Sequence, residues 1–205
     1  MSSLLQRRRV LTYLSLGFMG AAGVTLAARS RQESSMPEAE AVVGEGDRVT
    51  NLAAAANRLP EFQGISQWLN SAPLTVASLK GSVALIQFWT FSCINCQRTL
   101  PSVVRWHQQY AAKGLKIIGI HTPEFAFERD VNNVKQALQK HGITYPVPMD
   151  NQFKTWGAYK NEYWSHLFLV DRQGIIRYDH IGEGAYDQTD KMIRQLLGWG
   201  IGIRE

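Results

Sequence analysis

The stretch Phe88-Trp89-Thr90-Phe91-Ser92-Cys93-Ile94-Asn95-Cys96 decides the fold. It closes the apolar run Val83-Ala84-Leu85-Ile86-Gln87-Phe88 and precedes a segment in which Leu100, Val103, Val104, Trp106 and Tyr110 recur at helical spacing. A nearly continuous apolar run marks a central strand covered on both faces. The two cysteines, the only ones in the chain, therefore stand where a strand gives way to a helix. Unpaired N–H groups and the positive end of the helix dipole there favour thiolate on the first sulfur. The second sulfur, three residues on, is within reach of a disulfide. A pair that alternates between dithiol and disulfide exchanges two electrons with another protein through a mixed disulfide, so the redox-active disulfide Cys93–Cys96 would need no metal or organic cofactor.

The rest of the chain alternates strand and helix. Leu115-Lys116-Ile117-Ile118-Gly119-Ile120 reads as a second buried strand, and Val131, Val134, Leu138 and His141 as a helix stopped by Gly142. After the Pro146/Pro148 segment, His166–Val170 and Ile175–Tyr178 flank Asp171-Arg172-Gln173-Gly174, a hairpin signal. Met192, Ile193, Leu196 and Leu197 fit a closing helix. The order β-α-β-α followed by β-β-α predicts an α/β sandwich with a mixed sheet. Regular large apolar residues begin with Leu59, Phe62, Ile65, Trp68 and Leu69, so the folded domain is expected over residues 59–205.

The 205-residue chain carries a net charge of +5, and its distribution is uneven. Arg7, Arg8, Arg9, Arg29 and Arg31 lie in the first 31 residues with no acid among them, which leaves 17 basic residues against 17 acidic ones in the body. A neutral body argues against nucleic-acid binding. Arg7-Arg8-Arg9 precedes an apolar stretch from Val10 to Ala28, and Arg7-Arg8-Arg9-Val10-Leu11 resembles the twin-arginine pattern. Residues 1–29 therefore read as an export signal or, if retained, as a membrane anchor through residues 10–28, at the lower limit of what spans ~30 Å of hydrocarbon. Both readings place the body outside the cytoplasm, in the periplasm or an equivalent lumen. Residues 30–58 have the composition of a flexible linker, with a short helix expected near Leu52–Arg58.

The element order, Trp89 four residues before Cys93 and Pro101 five residues after Cys96 resemble the thioredoxin fold. Longer stretches are similar to exported and membrane-tethered thioredoxin-like proteins of the TlpA/ResA type, and in particular to the thioredoxin-like domain of DipZ-type thiol:disulfide interchange proteins. These stretches are Leu59-Pro60-Glu61-Phe62, Phe88 to Pro101, His121-Thr122-Pro123-Glu124-Phe125 and Gly182-Glu183-Gly184. The resemblance implies a three-layer sandwich around a central mixed β-sheet and an extracytoplasmic thiol:disulfide oxidoreductase. It implies protein thiols and disulfides as substrates and a membrane electron carrier as partner, with reduction of the substrate as the expected direction. Cys93 would form the mixed disulfide and Cys96 would resolve it, with Trp89 packed beneath.

Two positions depart from that pattern. Thioredoxin-like chains usually place a cis-proline opposite the cysteine pair, whereas Tyr163-Trp164-Ser165-His166 puts Ser165 there. A cis bond before a non-proline residue costs ~2.5–4 kcal/mol, so a trans Trp164–Ser165 peptide is expected in the substrate loop. The aspartate often found two residues before the tryptophan is Gln87, which cannot accept a proton; Glu124 is then the candidate base for Cys96. With Ser165 in the loop, a rival reading lets Cys93, Cys96 and His166 hold zinc or copper for binding or delivery. A redox-inactive interaction module is the third.

Overall fold

The computed structural model describes residues 57–198; the expected export segment, residues 30–56 of the expected linker and residues 199–205 of the expected domain lie outside that range. The short helix expected near Leu52–Arg58 falls, up to residue 56, outside the described residues; Arg58 forms a β-bridge with Ile175, and the next residue, Leu59, is buried. The elements run β1 (Gln67–Leu69), β2 (Val83–Trp89), α1 (Ile94–Tyr110), β3 (Leu115–His121), α2 (Val131–His141), β4 (Val147–Met149), α3 (Lys154–Ala158), β5 (His166–Val170), β6 (Ile176–Ile181) and α4 (Tyr186–Leu197). They build one six-stranded sheet in the order β1-β4-β3-β2-β5-β6. The β2–β3 and β3–β4 pairs are parallel; β1–β4, β2–β5 and β5–β6 are antiparallel, which makes the sheet mixed as expected.

Strand β2 shows why its apolar run is nearly unbroken. Successive side chains point to opposite faces, and both faces are covered. Val83, Leu85 and Trp89 pack with Leu100, Val103 and Trp106 of α1, Val134 and Leu138 of α2, and Ile193 and Leu197 of α4. Ala84, Ile86 and Phe88 pack on the other face with Leu59, Leu79, Tyr159 and Phe168. Those two clusters are the filling of the three-layer sandwich. The hairpin falls where Asp171-Arg172-Gln173-Gly174 placed it, with Asp171 Oδ1 accepting from the N–H groups of Gln173 and Ile175. The short strands β1 and β4 and the helix α3 were not legible. Three residues carry no period, and Pro148 sits inside β4 opposite Trp68.

Gly119 sits on β3 beneath the cysteine end of β2. A Cβ there would lie 2.8 Å from Tyr145 Cε2 and 3.1 Å from Trp89 Nε1, and both rings are fully buried. Gly119→Ala is therefore expected to destabilise by about 1–3 kcal/mol through overpacking. Urea unfolding should show a lower midpoint with an unchanged slope.

Candidate redox site

Strand β2, interior in the sheet, ends at Trp89 and α1 starts at Ile94, so the reactive pair is delivered at the C-terminal end of a central strand by a four-residue turn. Cys93 is the N-cap of α1 in an extended backbone conformation, and its sulfur accepts the N–H of Cys96 at 3.4 Å. Both cysteines are free thiols; Cys93 is part-exposed and Cys96 is fully buried. The pair is electrostatically asymmetric. The Cys96 thiol donates to the Cys93 sulfur, and with the N–H groups of Cys96 and Asn95 it holds Cys93 down to about 6, against burial and the charge of Glu124. That same hydrogen bond, then burial, pushes Cys96 far above the ordinary thiol range; the charges of Cys93 and Glu128 add to it and the Thr90 N–H opposes it. One sulfur is thus a thiolate at neutral pH and the other a thiol.

Trp89 lies beneath the pair, fully buried in the same cluster as Cys96, with Nε1 donating to the Gly119 carbonyl at 3.2 Å. His121, at the end of β3, packs edge-on to Trp89 and stacks on Phe91, and its Nε2 lies 3.3 Å from Thr90 Oγ1. Burial drives His121 down to about 4, so it is neutral at pH 7. Its Nδ1 is buried without a hydrogen-bond partner.

The loop expected to meet the substrate differs from the sequence reading. The Trp164–Ser165 peptide is cis, not trans. The expectation rested on the intrinsic preference of an isolated bond, whereas both flanking residues are held here by tertiary contacts. Ser165 is fully buried; its Oγ accepts from Gln87 Nε2 at 3.3 Å and its carbonyl from the Gly182 N–H at 2.7 Å. Trp164 Nε1 donates to the Thr122 carbonyl at 2.9 Å, and its ring lies 4.2 Å from that of Trp156. The two departures from the family pattern, Gln87 and Ser165, are thus bonded to each other. Ser165→Ala would leave the buried Gln87 amide without that partner and is expected to cost about 1–3 kcal/mol, read as a lower unfolding midpoint.

Glu124 is exposed, and its backbone N–H donates to a second carboxylate, Glu128. Glu128 is fully buried and is the functional candidate that sequence reasoning missed. The signal was present: Glu128 is the third residue of the 3-10 turn Ala126–Arg129, where a side chain reaches back to the preceding N–H. His166 does not join the cysteines. Its Nδ1 contacts Asn161 Oδ1 and its Nε2 contacts Asp179 Oδ2 at 3.1 Å, so both ring nitrogens are engaged elsewhere. The three-ligand reading fails on that geometry, and no group of three metal-ligating side chains is assembled among the described residues.

A mixed sheet that presents an asymmetric Cys-x-x-Cys pair at a helix N-terminus defines a thioredoxin-like protein. The chain belongs to the AhpC/TSA family, whose model matches residues 55–179. It is 47% identical over 141 residues to protein DipZ of Mycobacterium tuberculosis, covering 67% of this chain and 20% of DipZ, so it spans about a fifth of that relative's length. It is 26% identical over 139 residues to the thiol-disulfide oxidoreductase YkuV of Bacillus subtilis, covering 68% of this chain and 93% of YkuV. Among solved structures, a thioredoxin-like protein in its oxidized form superposes with a TM-score of 0.64 at 27% identity, covering 69% of this chain and 95% of that one.

Proposed function

We propose that this protein is an extracytoplasmic thiol:disulfide oxidoreductase that reduces disulfides in other proteins. The observation that carries the reading is the division between the two sulfurs: a part-exposed, anionic Cys93 and a buried, protonated Cys96. Cys93 attacks a substrate disulfide, one substrate sulfur leaves, and a mixed disulfide forms. Cys96 then displaces the second substrate sulfur, closing the Cys93–Cys96 disulfide and returning the substrate as a dithiol. A membrane electron carrier then returns two electrons to the pair, and Cys96 takes up one proton while Cys93 stays a thiolate. Exposed Ile94 between the cysteines, Phe125 and Phe127 in the neighbouring turn, and Tyr163 beside Trp164 suit a polypeptide substrate. The twin-arginine pattern and the apolar stretch from Val10 to Ala28 support export, with those residues as signal or tether. No helix among the described residues is long and apolar enough to cross a membrane.

Reduction of insulin by the full chain, compared with Cys93→Ala, tests the reading. Loss of activity in the variant is expected, and equal rates would favour an interaction module. A reduction potential near ~−270 mV would fix the direction as reductant, and one near ~−120 mV would reverse it.

The pH dependence follows from Cys93. Its alkylation rate should rise through pH about 6 and level off above, because the thiolate fraction grows until the group is fully ionised. At pH 7 about nine-tenths of Cys93 is thiolate, against about one-hundredth of an ordinary thiol. The weaker nucleophilicity of a stabilised thiolate trims that advantage to a few-fold. Stopped-flow iodoacetamide labelling between pH 4 and 9 reads the midpoint, and a midpoint above about 8 would contradict the asymmetry.

A further inference from the structure

Glu128 is a fully buried carboxylate surrounded by donors. One oxygen accepts the Ser92 N–H at 3.2 Å and the Ser92 hydroxyl at 2.6 Å; the other accepts the N–H groups of Glu124 at 2.6 Å and Phe125 at 2.8 Å. Ser92 immediately precedes Cys93, so the carboxylate ties the cysteine turn to the loop after β3. Burial opposes its charge, yet hydrogen bonds from Ser92, Thr90, Phe125 and Glu124 prevail and hold the carboxyl below its ordinary range. A carboxylate saturated with donors is a poor proton acceptor. Glu128 is therefore a fixed buried charge, not a base, and its field reaches Cys96.

We propose that Glu128 is a positioning residue of the redox pair: its carboxylate anchors the Ser92–Cys93 turn and holds a permanent negative charge beside that turn that biases the pair toward the disulfide, making it a stronger reductant. This rests on the thiol–disulfide reading and deepens it. In the dithiol state Cys93 carries a negative charge; in the disulfide state neither sulfur does. A buried anion nearby disfavours the charged state and so favours giving the electrons away. It offsets the hydrogen bonds that stabilise the Cys93 thiolate and that, alone, would make the pair more oxidising. In the mixed disulfide the Cys93 charge is gone, and Glu128 remains to restrain Cys96. Resolution requires Cys96 to lose its proton to solvent and attack the Cys93 sulfur, and Glu128 opposes that loss.

The test is a single turnover of reduced full-length protein with oxidised glutathione. Cys93 displaces one glutathione, Cys96 displaces the second, and the products are the protein disulfide and two reduced glutathiones. For Glu128→Gln the second step is expected to be roughly threefold to tenfold faster at pH 7, with a lower pH midpoint, as one unit of pKa corresponds to tenfold. The equilibrium with glutathione should shift toward the dithiol by a similar factor. Glu124→Gln should act mainly on the first step, where its charge opposes the Cys93 thiolate. A folded Glu128→Gln protein whose second step is unchanged, or slower at an unchanged midpoint, overturns the proposal; the slower outcome would mark a lost base or a merely structural anchor. Should that variant fail to fold cooperatively, Glu128→Asp retracts the charge by one methylene, and the same shifts at smaller size are expected. An unaltered profile in Glu128→Asp then overturns the proposal. A wild-type protein that forms no mixed disulfide at all would sink the thiol–disulfide reading itself, and this proposal with it.

Discussion

Cys96→Ser is expected to stall on its substrate: mixed with a protein disulfide, the variant should accumulate as a covalent adduct through Cys93. The geometry makes the effect large. The Cys96 N–H lies 3.4 Å from the Cys93 sulfur, and the two sulfurs share a hydrogen bond in the dithiol state, so the resolving group is already in place for intramolecular displacement. Well-oriented intramolecular reactions reach effective molarities of ~10⁵ M or more. A millimolar external thiol cannot replace such a group, and release should slow by at least about a thousandfold. Serine keeps an O–H donor at position 96, so Cys93 should stay a stabilised thiolate and the first step should keep close to its wild-type rate while release stalls. Non-reducing electrophoresis and intact-mass spectrometry read both effects. Release at the wild-type rate would mean that Cys96 is not the resolving group.

Most of this site was legible because the cysteine turn carries its own context. The apolar run of β2 must be buried on both faces, and the helical stripe from Leu100 to Tyr110 must face that strand, which leaves Cys93 at a helix start whatever the remainder does. Residues whose roles depend on tertiary neighbours were harder. Glu124 and Glu128 stand four apart in one loop, and the sequence favoured Glu124 because it belongs to the recognisable His-Thr-Pro-Glu-Phe run. The structure turns Glu124 outward and Glu128 inward, since only Glu128 sits where a side chain can collect the N–H groups opening the 3-10 turn and the two donors of Ser92. His121 is a buried neighbour of Trp89 through strand register, which no local window of sequence shows: it pairs with Trp89 across β2–β3.

The Trp164–Ser165 bond teaches the same lesson in a different form. Its expectation came from a rule about two adjacent residues, while Ser165 is tied to Gln87, 78 positions earlier, and to Gly182 at the end of β6. Taken separately, Gln87 and Ser165 were two departures from a family pattern. Their side-chain bond makes them one feature of the loop, a polar contact between the central strand and the segment that leads into β5. Such pairings lie beyond any window of local sequence.

Trp89→Ala is expected to carry the largest stability effect at the site, about 3–5 kcal/mol. The indole is fully buried, its Nε1 donates to the Gly119 carbonyl, and it packs with Cys96 and Leu100 of α1 and edge-on to His121. Truncation removes that apolar area, leaves a cavity under the cysteine turn and strands a carbonyl. For a domain of this size the loss should lower the thermal midpoint by about 10 °C. Gly119 supplies an internal check. Its missing Cβ leaves room for the Trp89 ring on one side and for Tyr145 on the other, so in the Trp89→Ala background one of the two clashes that penalise Gly119→Ala is removed. The double variant should therefore be more stable than the sum of the single losses predicts, by about 0.5–2 kcal/mol of coupling. Additive losses would show that the strand pair relaxes around alanine at position 119 without pressing on the indole, and that the tryptophan's position under the redox pair does not depend on that glycine.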